Sequence, residues 1–175
     1  IGLLMSQIQA AGVNVGISTL VTEQAETPLS ISGLHGLISA QTGCLQTAST
    51  VFHMLGSLMA PVQYTCVDMV DLRPVFETCR VTRVIEVMAS KSGDLLFASK
   101  DDEQALGRAE KLAVFLWRTA PDTVAVGWSA VAQVCQRVDH EAGVVVSYAD
   151  ECVNHIWHLM NMVRMAIVCT LKNTG

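Results

Sequence analysis

The sequence predicts an α+β domain: a long central helix wrapped by a curved antiparallel sheet, followed by a C-terminal extension. Three observations lead there. Between residues 35 and 59 the apolar positions Leu37, Ile38, Cys44, Leu45, Ala48, Val51, Phe52, Leu55, Leu58 and Met59 recur at three- and four-residue steps, the mark of a helical face. The same stretch holds no Lys, Arg, Asp or Glu, and a helix uncharged even on its polar side belongs inside other structure. Beyond it, β-branched runs alternate with short turn signals, as in an antiparallel meander.

Each element follows from local composition. Residues 13–22 are rich in Val, Ile and Thr and read as a strand, which charge and proline break over 23–28. Residues 29–34 lead into the helix, and Pro61 ends it. Extended segments are expected at 63–72, closed by Arg73 and Pro74, then at 78–89, 95–99 and 111–118, with turns at 91–94 and 100–104. Past 119–121 the character changes to an apolar stretch at 124–138, a loop at 139–143, a strand-like run at 143–148 and a Met-rich apolar helix over 156–171. The chain therefore divides into a domain over 1–120 and an extension over 121–175.

Composition narrows the function. With 175 residues, 51% hydrophobic and 15% charged, the chain can bury a core and has apolar surface left for a partner. A formal charge of −5 offers no cationic footprint for phosphate backbones, so no nucleic acid is expected. The six cysteines, at 44, 66, 79, 135, 152 and 169, contain no CxxC pair, so they read as reduced, mostly buried thiols of an intracellular protein, mitochondrial or cytosolic. The chain starts at Ile1, which leaves a removed leader open. No uncharged apolar run reaches the length of a membrane span, and Arg164 interrupts the nearest approach.

Leu34, His35, Gly36 and Leu37 open the long helix, Asp71, Leu72, Arg73 and Pro74 end the next strand, and residues 102–109 fall in the final hairpin. In these features, over roughly residues 13–118, the chain resembles the hotdog-fold acyl-CoA thioesterase superfamily, in its small single-domain branch. The resemblance implies a hotdog homodimer or heterodimer with acyl-CoA as ligand if the pocket is open. It also implies substrate contacts from His35, Gly36, Leu37 and Arg73. Backbone N–H groups at a glycine-containing helix start can stabilise a thioester oxyanion, but Leu37 stands where the family has a second glycine.

The catalytic carboxylate that the resemblance places two to three turns into the helix is missing. Gln41, Cys44 and Gln46 occupy that stretch; an amide cannot take a proton from water, and a thiol on an apolar face stays protonated. The remaining catalytic candidates are thus His35, Gly36, Cys44 and His53. Asp68 and Asp71 read as a solvated strand face. Glu151, Cys152, His155 and His158 have ligand-like spacing but suit an interfacial helix start, so neither metal nor cofactor is expected. Two functions follow: an acyl-CoA thioesterase-like protein that binds or hydrolyses acyl thioesters with impaired or lost turnover, or a non-catalytic structural or accessory subunit of a larger protein complex, for which the mitochondrion is one suitable setting.

Overall fold

The computed structural model describes residues 19–22, 36–40, 43–60, 62–76, 81–118, 123–150 and 162–172. Among these residues seven strands form one mixed sheet: β1 (Thr19–Thr22), β2 (Gly36–Ser39), β3 (Val81–Ala89), β4 (Leu95–Phe97), β5 (Ala109–Arg118), β6 (Gly143–Asp150) and β7 (Val163–Leu171). Their order across the sheet is β1-β2-β3-β7-β5-β6. One edge of β3 is shared, its first residues pairing with β2 in parallel and its last with β4 antiparallel. Among the described residues four helices accompany the sheet: α1 (Cys44–Ser57), α2 (Met69–Phe76), α3 (Lys100–Gly107) and α4 (Val124–Arg137).

Alternation along β5 shows how the layers arise. Leu112, Val114 and Leu116 face a core completed by Ala105 and Leu106 of α3 and Ala130, Val131 and Val134 of α4. Ala113, Phe115 and Trp117 face the opposite core, completed by Val51 and Met54 of α1 and Leu72, Val75 and Phe76 of α2. Successive side chains of a strand point to opposite faces, so a strand covered on both sides reads as an unbroken apolar run. The parallel pair β5–β6 is joined through α4, as a crossover between parallel neighbours requires.

This is not the hotdog architecture. The sheet lies between two helical layers, and β1, β2 and β3 pair in parallel, as do β5 and β6. The helix expected from residue 36 is a strand over Gly36–Ser39 followed by a 14-residue helix, with Gly43 at φ 102 immediately before it. Asp71, Leu72, Arg73 and Pro74 do not close a strand but lie within α2. The charged turn at 100–104 is the start of α3, where the Ser99 hydroxyl accepts from the Asp102 N–H and donates to its carboxylate. Residues 102–109 are accordingly helix and strand start rather than a hairpin.

The expected C-terminal apolar helix is, over its described part, strand β7. It sits between β3 and β5 and runs against both, with Met165, Ala166, Ile167, Val168 and Cys169 all buried. A strand buried on both faces loses its two-residue period, and the apolar run then resembles a buried helix.

Candidate assembly surface

The loop between α1 and α2 is built outward from the end of β6. Tyr64 N–H donates to Tyr148 O at 2.7 Å, Asp150 N–H to Val62 O at 3.2 Å, and Tyr148 N–H to the Thr65 hydroxyl at 2.9 Å. Side chains repeat the tie: the Tyr64 hydroxyl donates to Asp150 Oδ1 at 3.0 Å, and the Arg118 guanidinium lies 5.1 Å from the centre of the Tyr64 ring. Desolvation first, then the bond to Asp150, raises the Tyr64 pKa, whereas that of Arg118 is raised chiefly by its own bond to Asp150. Behind them Tyr148, fully buried, donates to Thr123 O, and burial pushes its phenol up to about 12.

Held in this way, the loop delivers Asp68 and Asp71 to the start of α2. Asp68 Oδ1 accepts from Val70 N–H at 2.7 Å and Asp71 N–H at 3.2 Å, while Asp71 Oδ2 accepts from Asp68 N–H at 3.0 Å. This reciprocal cap satisfies backbone donors that the helix itself leaves open, and it accounts for two carboxylates here without a solvated strand. Both remain exposed.

Apolar exposure is concentrated on α1 and the segment that follows it, up to Met69 and Val70 beside this acidic turn. Leu45, Phe52 and Met59, at seven-residue spacing along α1 and its end, are 87%, 77% and 86% exposed; Val70 is 73% exposed, and Val62 and Met69 are exposed as well. Only Leu96 and Trp128 complete the set of exposed large apolar residues among those described. Scattered single residues of this kind are ordinary, but six within residues 45–70 make this stretch a candidate for contact with a partner.

The residues singled out from sequence occupy separate places. His35 and Gln41 lie outside the described residues, as do Glu151, Cys152, His155 and His158. Gly36 and Leu37 are on β2, in register with Thr19 and Leu20 of β1. Cys44 is the first residue of α1, its thiol 3.8 Å from Val21 O; His53 packs on Trp117 with ring centres 4.6 Å apart; Arg73 and Gln46 are exposed on α2 and α1. Of the four described cysteines only Cys169 is fully buried, whereas Cys66 and Cys135 are exposed, contrary to the expectation of mostly buried thiols. Among the described residues no group of three His, Cys, Asp or Glu could hold a metal ion, and no helix is long and apolar enough to cross a membrane.

Sequence reasoning missed Tyr64, Arg118, Asp150 and Val70. The Asp68 and Asp71 spacing just before Leu72 and Val75 was the available signal, because a capping pair followed by apolar positions marks a helix start.

No protein-family model and no curated protein matches the chain. Solved structures do. An FtsZ dimer from M. jannaschii aligns with 79% of this chain and 46% of its own at 16% identity and a TM-score of 0.53. A CetZ from Methanosaeta thermophila aligns with 99% of this chain and 57% of its own, at 11% identity and a TM-score of 0.58. The fold is that of FtsZ and its tubulin-like relatives. GDP-form protofilaments of TubZ from Bacillus thuringiensis serovar israelensis give 98% and 57% coverage, at 11% identity and a TM-score of 0.50. The chain thus spans about half the length of the structures it matches. These likenesses overturn the hotdog resemblance, and with it the acyl-CoA thioesterase reading and the hotdog dimer.

Proposed function

We propose that the chain is the assembly-bearing part of a filament-forming protein of the FtsZ, CetZ and TubZ kind, whose subunits associate under the control of a guanine nucleotide. The observation that carries this reading is the exposure of Met69 and Val70 at the Asp68 and Asp71 turn, which follows a loop clamped to the end of β6 through Tyr64. Rigid presentation lowers the ordering cost of association. The likeness to structures described as an FtsZ dimer and as GDP-form TubZ protofilaments supports a further copy of the same protein as the occupant.

Val70 tests it. Burying a valine contributes about 1.5 kcal/mol, and placing a carboxylate in the same contact adds a desolvation cost, so Val70→Asp should raise the concentration needed for assembly by about tenfold or more. Sedimentation of the chain with GTP or GDP reads this directly. Equal pelleting of wild type and variant, or no nucleotide-dependent pelleting of the wild type, overturns the proposal.

A further inference from the structure

Strand β6 is an edge of the sheet, and only one end of that edge is used among the described residues. Residues 62–65 run antiparallel to it, with Gln63 opposite Ala149 and Tyr148 exchanging backbone and hydroxyl bonds with Tyr64 and Thr65. Tyr148 therefore turns its N–H and C=O outward. Because orientation alternates along a strand, Val146 and Val144 turn theirs outward too. Among the described residues no strand continues this pairing below Tyr148.

The open part reads Gly143, Val144, Val145, Val146. Edges meant to remain single carry Lys, Pro, a bulge or an inward charge, and none of these is present. Beside it is a groove of about 420 Å³ between β6 and α2. Pro74 and Val75 supply apolar lining, and Pro74 has no N–H to compete for a partner's carbonyl. The polar lining is Asp71, Glu110, Glu141 and Lys111, and the Lys172 ammonium also acts on Glu110 and Glu141.

We infer that residues 143–146 of β6 accept an extended peptide from another protein, added antiparallel to the sheet, in which Lys or Arg alternates with small apolar residues. Main-chain bonds to Val144 and Val146 would provide the affinity, as in other strand additions. Cationic side chains would lay their stems along the exposed Pro74 and bring their charge to the exposed Glu141. Residues 62–65 show that this edge takes an antiparallel strand. The inference rests on the edge of β6 rather than on the proposed assembly surface, although Asp71 borders both.

The test uses a short capped peptide alternating valine and lysine, and its counterpart with glutamate for lysine. Titrating the first into the chain should slow hydrogen exchange at the Val144 and Val146 amides, while the glutamate peptide should leave them unchanged. Val146→Pro places proline where the N–H faces outward, a position an edge strand tolerates, and should abolish binding with the circular dichroism spectrum intact. Glu141→Lys should weaken binding by about tenfold, more at low salt. Unchanged exchange at both amides, equal binding of the two peptides, or full binding by Val146→Pro overturns the inference. So does a dimer without peptide that Val146→Pro dissolves, since a second copy would then be the occupant.

Discussion

Arg118 grips Asp150 through two parallel bonds, Nε to Oδ1 at 2.6 Å and Nη2 to Oδ2 at 2.9 Å. The two residues stand directly opposite one another at the ends of the parallel strands β5 and β6. That register aligns a fork-shaped cation with a carboxylate, and the same carboxylate accepts the Tyr64 hydroxyl. One ion pair thereby joins two sheet strands to the loop that presents the acidic turn.

Removing the carboxylate charge should loosen the loop rather than unfold the sheet. In Asp150→Asn the Tyr64 amide should exchange with solvent on the order of tenfold faster, while amides of β7 keep their protection. Hydrogen exchange read by NMR checks it. Arg118→Lys, which keeps the charge but not the fork, should fall between wild type and Asp150→Asn.

Gly127 of α4 is needed for the close approach of Tyr148. A Cβ there would lie 2.7 Å from the Tyr148 hydroxyl and 2.8 Å from its Cζ. The ring is fully buried between Tyr64 and Trp128 and has little room to retreat. Gly127→Ala should destabilise the protein by about 1–3 kcal/mol, the ordinary cost of overpacking, although alanine favours the helix. Urea denaturation measures the difference.

Stability should decline at alkaline pH. Burial raises Tyr148 from 10.0 to about 12 and Cys169 from 9.0 to about 12. Between the unfolded and folded values the native state holds a proton that the unfolded chain has lost. The contribution is therefore complete below the unfolded values and is lost as pH rises through the folded ones. Denaturation midpoints should fall from about pH 9 upward, and Tyr148→Phe should flatten the part of the decline above pH 10.

Much of the sheet was legible because apolar runs stand between turn signals: β3 and β6 carry β-branched residues, and β4 and β5 are chiefly other apolar residues. What failed was the periodicity of segments covered on both sides. Strand β7 reads as a helix because Val163, Met165 and Ile167 face one core while Ala166 and Val168 face the other. Helix α2 was obscured by Pro74, tolerated inside a short helix at the loss of one backbone bond. The absence of charge on α1 was read as burial on most sides, yet Leu45 and Phe52 are exposed. That lack of charge fits a surface awaiting a partner, and a sequence does not distinguish covering by its own chain from covering by another. The clamp of Tyr64, Arg118 and Asp150 joins residues far apart in the chain, and local patterns carry no trace of it.

The central claim, association through the surface around the Asp68 and Asp71 turn, has a built-in reporter. Cys66 is exposed on that loop, and Cys135 is exposed on α4, across the sheet. The measurement is the alkylation rate of each thiol in nucleotide-assembled and dispersed protein, resolved by mass spectrometry. Assembly should slow Cys66 by about tenfold or more, as expected for a thiol shielded in an interface, and leave Cys135 unchanged; equal Cys66 rates in the two states would contradict the account.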